Sequence, residues 1–334
     1  RRPMKALLTG ATGFLGRRVL RQLVAEGVEV RCAVRASSCL DGINELKAKH
    51  GDQIETVMMN LANEDECHKA ASGCDVVLHL AAALSGCASG LFQNTVVPTR
   101  ELVRVSSEAG VKRFVLVSSL GVYGPQKLRR NSLLDESCPI DEAPHLRDAY
   151  TYSKIVQEEV AWQAARENDL SLVVVRPGVI FGDERGILSH RIGLHLGGRL
   201  LRMGGRQRIP FVYVENCASG VVRAGLAENV EGQVFNLVDD ELPTGRQVIR
   251  RYRQSGRKLR VLGVPQFAIG WLARFNEKYS RRTEGQIPEV LSHHRVQAMW
   301  KPLRYSNEKA RRMLGWSPAV DLNTAFERTL AFSS

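Results

Sequence analysis

Tyr150 and Lys154 stand four residues apart in Ala149-Tyr150-Thr151-Tyr152-Ser153-Lys154, where a helical run opens that continues to Ala165. That spacing puts both side chains on one helix face and turns Tyr152 elsewhere. A free phenol, with a pKa of about 10, is a poor base at neutral pH. A lysine ammonium, helped by a second positive charge, would favour the phenolate, and a shift of about three units corresponds to roughly 4 kcal/mol. The pair predicts proton exchange with an alcohol or ketone. Two hydroxyls, Ser118 and Ser119, end the apolar run Phe114-Val115-Leu116-Val117. They either satisfy backbone groups or serve a ligand, since open parallel sheets bind ligands at the carboxyl ends of their strands.

What such a site would act with is indicated near the start of the chain. Leu7-Leu8-Thr9-Gly10-Ala11-Thr12-Gly13-Phe14-Leu15-Gly16 leads short apolar residues into three glycines at three-residue spacing, then into an amphipathic run from Phe14 to Leu23. The pattern predicts strand, tight turn and helix, with the helix start offering unpaired N–H groups and a positive dipole end to a phosphate. Glycine allows the sharp turn and the close approach of a pyrophosphate. The spacing differs from G-x-G-x-x-G, and structural turns also use glycine. The second strand ends Val34-Arg35, with no carboxylate at its tip. A guanidinium there favours a 2′-phosphorylated ribose, hence NADP, while NAD stays open. The nicotinamide ring is the second positive charge that Tyr150 requires.

The elements that must position these residues follow from periodicity. Strands are expected over Lys5–Thr9, Val28–Val34, Glu55–Met58, Val76–His79, Phe114–Ser118 and Leu172–Val175, with helical runs filling most of the gaps. Apolar strands alternating with helices predict a doubly wound α/β fold around a parallel sheet. His79 reads as a packed histidine, and Asn94 as a cap or polar contact early in the run Leu91 to Ala109. The small residues Ala81 and Ala82 after the fourth strand allow a cofactor to approach the backbone.

Composition sets outer bounds. Hydrophobic residues make up 44% and charged residues 25%, as in soluble globular proteins. No apolar run approaches the roughly 18 residues of a membrane span, and none resembles a signal segment. The seven cysteines, Cys32, Cys39, Cys67, Cys74, Cys87, Cys138 and Cys217, form no C-x-x-C pair. Reduced thiols and a cytoplasmic location are expected, with no metal site. Residues 1–175 carry 21 Lys+Arg and 21 Asp+Glu, whereas residues 176–334 carry 26 and 14, so the whole +12 lies in the second half. That bias is either a solvated surface or a lobe that attracts an anion, and no nucleic-acid motif accompanies it.

Together these motifs resemble the extended branch of the short-chain dehydrogenase/reductase superfamily over nearly the whole chain. The resemblance rests on Thr9 to Gly16, His79-Leu80-Ala81-Ala82, Val117 to Gly124, Tyr150-x-x-x-Lys154, Arg176 to Gly182, Phe211 to Ala218, and Ser306 to Ala310 with Leu314-Gly315-Trp316. It implies a Rossmann domain over 1–176, rejoined by 210–238, and an interleaved substrate lobe over 177–209 and 239–334. Tyr150 would be the acid/base, Lys154 would bind the nicotinamide ribose and lower the tyrosine pKa, and Ser119 would hydrogen-bond the reacting oxygen. Gly10, Thr12, Gly13 and Gly16 would cradle the pyrophosphate, with N–H groups from Phe14 and Leu15. Arg35 would take the 2′-phosphate and Asn60, beside Leu61, the adenine. Leu80, Ala81, Ala82, Pro177 and Val179 would complete the cofactor wall. The helices Leu91–Ala109 and Ala149–Ala165 resemble those that pair family members into homodimers.

The chemistry expected is hydride transfer between a nicotinamide and a secondary alcohol or ketone. Nucleotide-sugar epimerases place an asparagine after the Arg-x-x strand end and an Arg-Asp-Phe before the Val-x-Val-x-Asp segment. Here those places hold Val179 and Ile209-Pro210-Phe211, leaving Arg206, Arg208 and Arg295 as the cations that could hold a substrate diphosphate. The apolar stretch Gly263 to Phe275 resembles members that act on steroid- or flavonoid-like substrates. It reads as a helix on its own core, a pocket wall, or a membrane-touching helix. The preferred expectation is an NAD(P)-dependent reductase or dehydrogenase of a bulky apolar, steroid- or flavonoid-like substrate, with NADP favoured and NAD possible. A nucleotide-sugar epimerase/dehydratase and a non-catalytic NAD(P) sensor are the alternatives.

Overall fold

The computed structural model describes residues 3–83, 86–282 and 291–332. Its first half alternates strand and helix: β1 (Lys5–Thr9), α1 (Gly16–Ala25), β2 (Glu29–Val34), α2 (Asp41–His50), β3 (Ile54–Met58), α3 (Glu64–Ala71), β4 (Val76–His79), α4 (Ala88–Glu108) and β5 (Arg113–Val117). A longer connection carries β6 (Leu133–Leu134) before α5 (Ala149–Glu167) and β7 (Ser171–Pro177). α1 starts at Gly16 rather than at the expected Phe14, because Phe14 turns into the core beside Phe181 and Phe211. The second half holds β8 (Val179–Phe181), β9 (Gly193–Leu196), β10 (Arg199–Met203), β11 (Phe211–Tyr213), α6 (Val214–Leu226), β12 (Val234–Leu237) and α7 (Gly245–Gln254). Then follow β13 (Val261–Val264), α8 (Gln266–Arg282), α9 (His293–Trp300), β14 (Arg304–Tyr305), α10 (Glu308–Leu314) and α11 (Leu322–Phe332).

Seven strands form one parallel sheet in the order β12-β7-β5-β4-β1-β2-β3. Side-chain parity explains its two covers. Leu7, Val77, Phe114 and Leu172 point to the face under α3, α4 and α5, while Ala6, Leu8, Val76, Val115 and Val173 point to the face under α1 and α6. Strands buried on both sides need no polar alternation, which is why the sequence shows apolar runs. Strand order reverses at β1, so the crevice beyond the ends of β1 and β4 is where ligands of such sheets bind.

Outside this sheet, β13, β10 and β9 form a three-stranded sheet, β11 pairs with β8, and β14 pairs with β6. Phe181, Phe211, Tyr213 and Phe326 make an aromatic core here, with Phe181 and Phe211 ring centroids 4.9 Å apart. α7 begins with a reciprocal cap in which Thr244 and Gln247 satisfy one another's backbone N–H groups.

Candidate active site

The glycine loop joins β1 to α1 at the sheet's carboxyl edge. Gly10 takes φ +74°, and a side chain there would press on the backbone of Leu80 and Ala81, with Ala81 N only 3.0 Å from the added carbon. At Gly16 the added carbon would lie 2.0 Å from the Gly10 carbonyl, so the loop closes only with glycine at that position. Gly13 N–H donates to Gly10 O at 3.0 Å. The N–H groups of Phe14 and Leu15 precede the first turn of α1 and have no acceptor among the described residues. Turn, close approach and free donors fit a dinucleotide pyrophosphate.

Further along the same edge, in sheet order, come Asn60 after β3, Arg35 after β2, Ala81 after β4, Ser119 after β5 and Pro177 at the end of β7. Arg35 is exposed, and its backbone is fixed by a turn in which its N–H donates to Ser38 Oγ at 3.0 Å. Asn60 uses its side-chain carbonyl locally, accepting from Ala62 N–H at 3.0 Å, so only one lone pair of that oxygen is left for an adenine amine. Pro177 and Val179 flank Gly178, whose added carbon would meet Pro210 O at 2.0 Å, and Val179 N–H donates to Pro210 O at 2.7 Å.

The head of α5 carries Tyr150 and Lys154, and its Thr151 reaches the turn that holds Ser119. Asp148 caps the helix, accepting from Thr151 N–H at 2.9 Å and from Thr151 Oγ1 at 2.7 Å. Thr151 packs over Gly121, whose N–H donates to Ser119 Oγ at 3.1 Å. Because Gly121 uses an acceptor position of that hydroxyl, the Ser119 proton stays available for another oxygen. Lys154 is buried and donates to Val117 O at 2.8 Å and to Gln157 Oε1 at 2.5 Å. Two of its three protons are thereby committed and one remains.

The expectation for Tyr150 calls on Lys154 together with a nicotinamide, and the protein's own groups supply no such pull from the lysine. Lys154 does not make the Tyr150 phenol more acidic in the protein's own field. Burial pushes Tyr150 up, Asp148 adds to the rise, and only Arg185 pulls the other way. The Lys154 charge is felt instead by His79, which burial and that charge pull down to about 3. His79 is the packed residue expected, held by Thr9 Oγ1 at 2.8 Å and Thr99 Oγ1 at 3.0 Å. Thr99 in turn accepts from Gln157 at 2.8 Å, so a buried chain of polar groups runs from Thr9 to Lys154. Asn94 donates to Gly90 O at 2.7 Å within α4.

Burial also pulls Lys154 down to about 8, with Glu158 partly opposing. The ammonium fraction falls as pH rises through that value, so, if Lys154 acts as a cation on the cofactor, kcat/KM is expected to fall above about pH 8. Gln157→Leu removes an acceptor that favours the charged form and moves this limb to lower pH, which a pH–rate profile of the two proteins would show.

Sequence reasoning missed Glu158. It lies one turn beyond Lys154 on the same buried face, pairs with Arg176 and accepts from Ser118 Oγ at 2.7 Å. Arg176 stacks over Tyr123 at 4.5 Å, and Tyr123 donates to Asn236 Oδ1 at 2.8 Å. The signal was present as Lys154, Gln157 and Glu158 at helical spacing among alanines, a charged stripe on a face that must be buried.

Two of the three candidate substrate cations are held by backbone carbonyls. Arg208 donates to Leu242 O at 2.8 Å, and Arg295 donates to Leu146 O at 3.1 Å and Arg147 O at 3.0 Å. Arg206 lines a groove with Arg130, Arg202 and Arg246. Arg147, bonded to Gly121 O at 3.0 Å and paired with Asp141 at 2.7 Å, ties the segment before α5 to the Ser119 turn. His294 of α9 bonds the same Asp141 at 2.9 Å.

The sequence pattern of the NAD dependent epimerase/dehydratase family matches residues 6–237, and the chain belongs to that family. It is 27% identical over 322 residues to 4-hydroxy-2-methyl-3-oxo-4-farnesyl-3,4-dihydroquinoline-1-oxide ketoreductase of Stigmatella aurantiaca, covering 95% of this chain and 93% of that one. It is also 27% identical to 3 beta-hydroxysteroid dehydrogenase/Delta 5-->4-isomerase of Mycobacterium tuberculosis, covering 98% and 90%. The fold matches UDP-glucuronic acid 4-epimerase of Bacillus cereus in complex with NAD at a TM-score of 0.72, with 20% identity and 98% of each chain covered. These relatives support the extended short-chain dehydrogenase/reductase class with a 3β-hydroxysteroid dehydrogenase-like character. No described helix is long and apolar enough to cross a membrane.

Proposed function

We propose that this chain is an NADP-preferring reductase or dehydrogenase of a bulky apolar secondary alcohol or ketone. The observation that carries the reading is the head of α5. There a buried lysine with one uncommitted proton shares the first turns of the helix with a half-buried phenol, and a serine with its proton free ends the neighbouring strand of a dinucleotide-type sheet. Bound there, the dinucleotide supplies or accepts the hydride. Residues 1–176 with 210–238 hold it, while 177–209 with 239–334 hold the substrate.

Each residue has a task set by its surroundings. Ser119 donates to the substrate oxygen and fixes its position. Burial keeps Tyr150 protonated at neutral pH, which is the form that delivers a proton to the oxygen when a ketone is reduced. Lys154 turns its remaining N–H to the nicotinamide ribose, and Gln157 with Val117 O keeps it from swinging away. The N–H groups of Phe14 and Leu15 bind the pyrophosphate within the cradle of Gly10, Thr12, Gly13 and Gly16. Asn60 and Leu61 flank the adenine, and Leu80, Ala81, Ala82, Pro177 and Val179 wall the cofactor.

Arg35 selects the 2′-phosphate. Arg35→Ala is expected to weaken NADPH binding by about tenfold to a hundredfold and to leave NADH binding unchanged, measured by fluorescence titration. An equal loss for both would remove Arg35 from that role. Two observations favour an apolar substrate over a nucleotide sugar. Ile209, where epimerases carry a diphosphate-binding arginine, is fully buried in the aromatic core. Arg208 and Arg295 are also committed to backbone carbonyls. By their names, two relatives act on a farnesylated quinoline oxide and on a 3β-hydroxysteroid. Thermal melts with NADPH plus a steroid or farnesylated ketone should rise above NADPH alone. A rise with UDP and none with such ketones would overturn the reading. α4 and α5 pack along one another with Val97 exposed at 59%, and they form the face proposed for a homodimer.

A further inference from the structure

α8 presents two unlike faces. Ile269 and Ala273 are buried against Met203 and Trp300, whereas Phe267, Trp271 and Phe275 are 77%, 75% and 69% exposed. The exposed three recur every fourth residue, so they form one stripe along the helix. Exposed Arg274 and Lys278 lie among them, and Tyr279 stacks on Phe275 with centroids 6.0 Å apart. Leu262, on the edge strand β13 just before the helix, is a further 48% exposed. Large aromatics rarely stay in water as a contiguous stripe without a partner.

What that partner carries is indicated by the groove beside it. Two cavities of about 590 and 460 Å³ share Arg202, Arg246 and Gly263. Arg250 and Arg253 of α7 line the first, and Arg130 and Arg206 line the second. Neither lining contains a carboxylate, and Arg130, Arg206, Arg246 and Arg250 have no ion-pair partner among the described residues. Arg202 is pulled down by burial and by the Arg246 charge, as expected where guanidinium groups crowd without a counter-ion. The second cavity also includes Val264 and Pro265, the two residues that lead into α8. Cationic groove and aromatic stripe are therefore consecutive along the chain.

We propose that this surface docks on the anionic face of a lipid bilayer, with Phe267, Trp271 and Phe275 in the interfacial layer and the arginine groove on headgroup phosphates. Helices with aromatics on one face and basic residues around them lie in the bilayer interface in this way. A second copy of the chain fits less well, because its identical arginine groove would be brought against like charge. The inference does not rest on hydride transfer, since none of the docking residues is among those assigned to the cofactor or to the reacting oxygen. If the proposed apolar substrate is also correct, docking places the enzyme where such a molecule partitions.

The test is flotation of the full chain with vesicles of phosphatidylcholine alone and of equal parts phosphatidylcholine and phosphatidylglycerol. The wild type should rise with the mixed vesicles and stay behind with the neutral ones. Its emission should shift to the blue, because Trp300 and Trp316 are buried, Trp162 is half-buried and Trp271 alone is mostly exposed. Phe267→Ser/Trp271→Ser/Phe275→Ser should reduce partitioning by at least about tenfold. Arg246→Gln/Arg250→Gln/Arg253→Gln should reduce it by about fivefold per residue. NADPH affinity should be unchanged in both. Quenching of wild-type Trp271 by brominated lipid needs no variant and guards against misfolding. Absence of wild-type flotation, equal flotation on neutral vesicles, or an unaffected serine variant would each overturn the proposal. So would a dimer that the serine variant dissolves while vesicles bind nothing.

Discussion

Tyr150→Phe is expected to lower kcat by about a thousandfold while leaving the dissociation constant for NADPH unchanged. The phenol is half-buried at the first turn of α5, and its ring packs equally well as phenylalanine, so the substitution removes a hydroxyl and little else. Burial and Asp148 keep that hydroxyl protonated, and it can give its proton to a substrate oxygen that Ser119 already holds. Ser119 alone cannot replace it, since an unassisted aliphatic hydroxyl is a far weaker acid than a phenol. Single-turnover measurement of NADPH consumption separates the chemical step from cofactor binding. Retained turnover would remove Tyr150 from the reaction, and lost NADPH affinity would make its role structural. Because burial raises the tyrosine and keeps it a proton donor, reduction should outpace oxidation at neutral pH. Oxidation should gain on it as the medium becomes more alkaline.

The sheet was legible because its strands are buried on both faces. Runs such as Val76–His79 and Phe114–Val117 can then be apolar throughout, and nothing in their surroundings overrides that pattern. The glycine loop was legible for a steric reason, since a side chain at Gly16 would collide with the Gly10 carbonyl. Tyr150 and Lys154 shared a face because helical spacing is local. The sense of their electrostatics was not readable. It depends on where the lysine points, and Val117 O and Gln157, fixed by tertiary packing, decide that. The basic half of the chain posed a similar problem. Counting charges could not tell that Arg208 and Arg295 would be spent on carbonyls while Arg202, Arg246 and Arg250 would gather in a groove. Nor could the sequence show which residues of the run 263–275 face outward, because that follows from α8 lying over Met203 and Trp300.

Glu158→Ala should cost about 3–5 kcal/mol of unfolding free energy, read as a lower urea midpoint at unchanged slope. Both Glu158 and Arg176 are buried, and the pair is held by two guanidinium hydrogen bonds, one of them Nε to Oε2 at 3.1 Å. Removing the carboxylate leaves a guanidinium without a counter-charge beneath the ends of β5 and β7, and it strands the Ser118 hydroxyl as well. Glu158→Leu combined with Arg176→Met should recover much of that stability, because the cost lies in the uncompensated charge rather than in the loss of an attractive pair. The two variants separate support of the fold from support of the site. Ser118 adjoins Ser119, and Glu158 follows Lys154 by one turn on the same helix. The double variant should therefore be stable yet reduced in kcat, with the loss appearing in the chemical step and NADPH affinity little changed. A double variant as unstable as Glu158→Ala would place the energy in the pair itself. One with full turnover would show that Ser119 and Lys154 keep their positions without it.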